Sequence, residues 1–213
     1  MTDLPKRKVL VPIADGTEEI EAVCIIDVLR RAGADVTVAS VGNLQITASR
    51  GVKLVADCKI ADCRDDEFDL IALPGGIPGA EHLRDSQPLV QLLRRHQAGG
   101  GWYGAICAAP AVVLSYHGLL GGRKVTGHPS FVAQLSDGTP MAERVVVDGN
   151  CITSQGPGRA HRGIENPRVS RRSSGAAPAR RHHNPITRCR AQLHYRYAGT
   201  DDEPGHPTSQ ART

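Results

Sequence analysis

Apolar residues all but stop at residue 158. Residues 1–158 hold 42 Val, Ile and Leu, whereas residues 159–213 hold four: Ile164, Val169, Ile186 and Leu193. A segment this poor in apolar side chains buries too little surface to offset its ordering entropy. The chain therefore divides into a foldable domain, 1–158, and a tail, 159–213, expected to be disordered. Charge divides at the same place. The first segment carries 15 Lys+Arg and 18 Asp+Glu, a net of −3; the tail carries 11 Arg and 4 acids, a net of +7. The overall +4 averages two unlike pieces.

Within the foldable segment, the apolar run Lys8–Ile13 reads as a buried strand. Thr17-Glu18-Glu19-Ile20-Glu21 then opens a helix, with Thr17 as its expected N-cap and acids in the first turn, where the helix dipole favours them. Ile20, Val23, Cys24, Ile25, Val28 and Leu29 recur at helical spacing, and Gly33 stops the helix. Asp35–Ser40 is a second strand. A β-α-β opening implies a parallel sheet. Further strands are expected at Phe68–Leu73, Trp102–Ile106 and around Lys124–Thr126, with a helix over Gln87–Gln97. Hairpins are expected at Leu44–Val55 and at Arg144–Thr153, the latter turning on Asp148-Gly149-Asn150. The fold class is α/β: a doubly wound, mostly parallel sheet with helices on both faces. In such sheets sites form beyond the C-terminal ends of strands. Asp15–Glu21, Gly75-Gly76 and Cys107 all follow strand ends, so they should converge.

Cys107 is the leading candidate for chemistry. The strand Trp102–Ile106 runs straight into it, and Ala108-Ala109-Pro110 leads into the helix-like Ala111–Tyr116. A cysteine at a tight strand-to-helix turn has the geometry of a nucleophile elbow. Free N–H groups beside its sulfur favour thiolate, the nucleophilic form. Read alone, such a cysteine is more often a small buried hydrophobe. Read alone, Glu21 is an exposed first-turn acid and His128, before Pro129, a turn residue.

Six motifs occur in order across about 150 residues: Asp15-Gly16-Thr17-Glu18-Glu19-Ile20-Glu21, Leu29-Arg30-Arg31-Ala32-Gly33, Leu73-Pro74-Gly75-Gly76, Ala105-Ile106-Cys107-Ala108, Thr126-Gly127-His128-Pro129, and Thr153-Ser154-Gln155-Gly156-Pro157-Gly158. On these motifs Lys8–Gly158 resembles the ThiJ/PfpI superfamily, in its parkinsonism-associated protein deglycase or glutathione-independent glyoxalase branch. The resemblance implies a flavodoxin-like fold, a homodimer and no cofactor. It implies Cys107 as nucleophile, Glu21 as the carboxyl group hydrogen-bonded to the sulfur, His128 as a third side chain near it, and the N–H groups of Gly76 and Ala108 as an oxyanion hole. The implied substrates are α-dicarbonyls such as methylglyoxal and glyoxal, or their early protein adducts. The alternative is an oxidative-stress sensor or redox-regulated chaperone acting through oxidation of Cys107. Proteolysis, known for some superfamily members, needs a full triad, and no acid partner for His128 is evident.

The remaining cysteines add little at this level. Cys58 and Cys63 are the only close pair, without a second Cys/His pair at zinc spacing, so no metal is expected. Cys24 and Cys151 read as core residues. No charged-then-apolar leader opens the sequence, and no apolar run approaches the ~20 residues of a membrane span. The expected setting is the cytoplasm, with reduced thiols.

The tail breaks the family pattern. Family members continue past Gly-Pro-Gly with an amphipathic helix; here Arg159–Pro167 has no apolar stripe. Back-translation of this segment, read one nucleotide later, permits Ile, Glu, Glu or Ala, Leu, then Lys or Arg. That string is compatible with a frameshift near Gly158. The tail's arginines also suit a nucleic-acid-binding arm, but it has no lysine and no orderly aromatic interleaving. Loss of the covering helix would leave four or five apolar side chains unburied, at ~1.5–3 kcal/mol each.

Overall fold

A computed structural model of the chain describes residues 6–157. The expectations for the tail fall on 159–213, outside the described residues.

The elements follow in the order β1 (Lys8–Ile13), α1 (Glu19–Arg31), β2 (Asp35–Ser40), β3 (Gln45–Thr47), β4 (Lys53–Val55), β5 (Cys58–Lys59), β6 (Leu70–Leu73), α2 (Gly79–Asp85), α3 (Gln87–Ala98) and β7 (Trp102–Ile106). A π-helix (Pro110–Ser115), β8 (Lys124–Val125), a 3-10 helix (Pro129–Gln134), β9 (Thr139–Pro140), β10 (Val145–Asp148) and β11 (Cys151–Ser154) complete them. The central sheet has seven strands in the order β10-β11-β7-β6-β1-β2-β5. Only the β10–β11 pair is antiparallel. β3 pairs with β4, and β8 with β9, as separate two-stranded units.

Chain order reverses across the sheet beside β1. The strand next in sequence, β2, lies on one side of it, and β6 lies on the other. This is the switch point at which doubly wound sheets place their sites.

Alternation along β1 separates two cores. Val9, Val11 and Ile13 face Ala22, Val36, Val38 and Ile46, with Ile25, Ile26 and Leu29 of α1 packed against them. Leu10 faces the other way, into a cluster with Ile71, Leu73, Leu83, Leu89, Leu93, Tyr103 and Leu114. Helix α3 buries Leu89, Val90, Leu92 and Leu93, the stripe expected from its sequence.

Several local expectations are corrected. Helix α1 begins later than a Thr17 cap implies: its N-cap is Glu18, with no side-chain cap bond. Thr17 is buried instead, and its Oγ1 accepts from Ala14 N at 2.9 Å, closing the turn after β1. Cys24 is exposed and not in the core, whereas Cys151 is buried as expected. Ile20, Val23 and Val28 are also exposed, at 54%, 47% and 62%. Their periodicity is helical, but their stripe points away from the sheet, which α1 meets through Ile25, Ile26 and Leu29. Among the described residues, no helix is long and apolar enough to cross a membrane.

Candidate active site

The loops after β1, β6 and β7 meet at the switch point. Cys107, directly after β7, has φ +63° and is the only described non-glycine residue with positive φ. For a residue with a Cβ this conformation costs of order 1–3 kcal/mol and persists only where neighbours hold it. Two backbone bonds hold Cys107. Its N–H donates to Ser154 O at 2.9 Å, and its carbonyl accepts from His128 N at 2.7 Å. The helical stretch expected after the elbow is a π-helix: Tyr116 N–H reaches back five residues to Ala111 O at 3.3 Å.

Glu21 lies in the first turn of α1 yet is only 2% exposed. Its Oε2 accepts from Gly75 N at 2.7 Å. Its Oε1 has no hydrogen-bond partner among the described residues. Burial raises the Glu21 carboxyl above its ordinary value; the Gly75 N–H and the Cys107 thiol pull it down, and the Glu18 charge pushes it up.

The Cys107 thiol is pushed up to about 12 by burial first, then by the charge of Glu21 and their side-chain interaction; the N–H groups of Ala108 and Gly76 pull it down. The two N–H groups act in the direction expected from the elbow sequence, against burial. The opposing influence of Glu21 depends on its negative charge, so each group's ionisation disfavours the other's. Each group therefore holds its proton more tightly while the other is charged, and the Ala108 and Gly76 N–H groups favour an anion at the sulfur.

Close backbone approach requires both glycines before α2. At Gly75 a Cβ would lie 2.8 Å from Cys107 Cβ and 2.9 Å from Glu21 Oε2. Gly76 has φ +90°, and a Cβ there would lie 2.7 Å from Gly16 O. Glu18 N–H donates to Gly75 O at 3.0 Å, tying the start of α1 to this loop.

Of the residues singled out from sequence, Cys107, Glu21, Gly76 and Ala108 are brought together. His128 arrives by its backbone. Its ring is turned to its own turn, where Nδ1 accepts from Ser130 N at 3.2 Å. Gly75 and Ser154 are the contributors that residue-by-residue reading missed. Both lie inside quoted motifs, but a backbone role leaves no mark on side-chain chemistry. A cleft of about 570 Å³ runs beside Asp15, Ser40, Lys59 and His82, and a smaller one of about 240 Å³ beside Arg84 and Tyr116; Cys107 lines neither. Among the described residues, no three His, Cys, Asp or Glu side chains converge as metal ligands.

The model of the DJ-1/PfpI family matches residues 7–162. Protein DJ-1 homolog B of Arabidopsis thaliana is 53% identical over 152 residues, covering 71% of this chain and 35% of that protein. The chain thus spans about a third of that relative's length. The glutathione-independent glyoxalase DJR-1.2 of Caenorhabditis elegans is 36% identical over 154 residues, 71% of this chain and 81% of that protein. Among solved structures, oxidized Toxoplasma gondii DJ-1 has a TM-score of 0.69 at 50% identity, covering 70% of this chain and 82% of that one. A buried carboxyl paired with a strained cysteine at the sheet's switch point and a family match over most of the domain agree: the chain belongs to the DJ-1/PfpI family.

Proposed function

We propose that this chain is a cofactor-free, cysteine-dependent glyoxalase or deglycase acting on α-dicarbonyls or their early protein adducts. The observation that carries the reading is the buried Glu21 carboxyl interacting with the Cys107 thiol, with the N–H groups of Ala108 and Gly76 favouring an anion at the sulfur. A relative named as a glutathione-independent glyoxalase supports the same class.

In this reading the pair's single proton rests on Glu21 when Cys107 attacks. Burial favours that neutral carboxyl, and its neutrality removes the charge that opposes thiolate. The sulfur adds to the aldehyde carbon of methylglyoxal, giving a hemithioacetal. The N–H groups of Gly76 and Ala108 hold the developing oxyanion. Glu21 gives its proton to that oxygen and, now a carboxylate, takes the proton from the aldehyde carbon; it returns this proton to the neighbouring carbon as the hydroxyl proton passes to the neighbouring oxygen. The adduct is now a thioester of lactate, and water releases lactate and the thiol. His128 acts as a positioning residue through its N–H bond to the Cys107 carbonyl. Exposed Ile20, Val23 and Val28 on α1 support a homodimer. The test is methylglyoxal loss and lactate formation without glutathione. Turnover by Cys107→Ala equal to that of the wild type defeats the reading.

A second reading, oxidation sensing at Cys107, is favoured by the oxidized state named for the Toxoplasma relative. Peroxide treatment followed by mass spectrometry separates the two. Oxidation at Cys107 with no dicarbonyl turnover selects the sensor.

A further inference from the structure

Far from Cys107, at the edge of the sheet, two other cysteines face each other. Cys58 lies in β5, where it registers with Ala39 of β2. Cys63 ends the 3-10 turn Ile60–Cys63 immediately after it. Lys59 N–H donates to Asp62 side-chain Oδ2 at 3.1 Å and fixes that turn. The turn brings the two sulfurs within 3.4 Å. A second contact, Cys63 Sγ to Lys59 O at 3.8 Å, holds the inner thiol in place. Cys58 is half-buried, and Cys63 is 2% exposed.

We infer that Cys58 and Cys63 form a reversible intramolecular disulfide, a second redox site separate from Cys107. The sulfurs need to approach by only about 1.4 Å to reach bonding distance, a small χ adjustment. Between β5 and β7 stand β2, β1 and β6, so four inter-strand steps of about 4.8 Å separate the pair from the elbow.

The oxidant is hydrogen peroxide. The more accessible Cys58, as thiolate, attacks a peroxide oxygen. The O–O bond breaks, leaving Cys58 sulfenic acid and, after protonation, one water. Cys63 then attacks the Cys58 sulfur. The S–O bond breaks, and the departing hydroxide takes the Cys63 proton as a second water. Two electrons pass from the two sulfurs to the peroxide. A dithiol reductant reverses the bond by exchange. Burial, the interaction with Cys58 and the charges of Asp66 and Asp62 push the Cys63 thiol up to about 12, so Cys63 keeps its proton until the departing hydroxide takes it.

Tryptic mapping of the full chain tests the proposal. Reduced protein is treated with equimolar hydrogen peroxide, remaining thiols are alkylated, and digestion proceeds without reductant. Trypsin cuts after Lys53, Lys59 and Arg64, which puts the two cysteines on separate peptides, Leu54–Lys59 and Ile60–Arg64. The expected main product is these peptides joined, two hydrogens lighter than their sum. It disappears on dithiothreitol treatment and in Cys58→Ser and Cys63→Ser, and it persists in Cys107→Ser. In Cys63→Ser, Cys58 accumulates as sulfenic and sulfinic acid instead. Recovery of both peptides alkylated from protein whose Cys107 has been oxidised overturns the inference, as does linkage of either to a different cysteine. Dicarbonyl turnover is not read in this experiment, so it fails or stands independently of the enzyme proposal.

Discussion

Gly75 donates its backbone N–H to Glu21 Oε2 at 2.7 Å, while a Cβ on Gly75 would lie 2.8 Å from Cys107 Cβ. One small residue thus lies against both side chains and orients the Glu21 carboxyl.

Gly75→Ala should therefore injure stability and activity together. The added methyl meets the Ile106 carbonyl at 2.8 Å as well, and backbone cannot swing aside as a side-chain tip can. A loss of ~1–3 kcal/mol is expected. Calorimetry reads it as a lowered Tm, and methylglyoxal consumption should fall in the same variant.

Glu21→Gln keeps the shape of the side chain and removes its proton chemistry. The expected drop in kcat/KM is about 10²–10⁴-fold, with the fold intact by circular dichroism. Activity within a factor of about three of wild type would remove Glu21 from the proton shuttle.

Stability should depend on pH through the same pair. Glu21 has a folded value raised above its ordinary 4.5. Its contribution is complete below pH 4.5 and is lost as pH rises through the raised folded value. Glu21→Gln should flatten that part of the curve, so its stability relative to wild type improves from pH 4 towards neutrality. Cys107, raised from 9.0 to about 12, loses its contribution across that alkaline span, and Cys107→Ala should remove that slope. Urea midpoints at several pH values check both.

His128→Ala discriminates between a ring that works on substrate and a backbone that positions Cys107. Loss of the Nδ1 bond to Ser130 N should cost about 0.5–2 kcal/mol of stability, as for other helix caps. The N–H bond to the Cys107 carbonyl survives the change. Turnover should then stay within about tenfold of wild type, equivalent to ~1.4 kcal/mol in the barrier. A far larger loss restores the ring to the mechanism.

Much of the sheet was legible because its strands are short apolar runs closed by Gly or Pro, as at Leu73-Pro74-Gly75. Helix α3 was legible because a single stripe faces the core. Helix α1 was legible as a helix but not in its buried face, because it carries apolar residues on two sides and periodicity cannot say which side meets the sheet. Glu21 could be read only through the family motifs. Its burial is a tertiary fact, set by a loop 54 residues away. For Cys107, the N–H groups that favour an anion are legible in the elbow sequence and the opposing Glu21 charge through the family motifs, but the burial that raises the thiol is not. The turn that joins Cys58 to Cys63 was also missed, since four residues with no periodicity give no signal.

The hold on Cys107 also imposes an order on biosynthesis. Both backbone clamps lie downstream, at His128 and Ser154. A nascent chain translated at about 5–20 residues per second takes a few seconds to extend from the elbow to the second clamp. Until His128 emerges neither clamp exists, and until Ser154 follows only one can form. The left-handed backbone of Cys107 gains its full set of restraints only when β11, the last described strand, has been made.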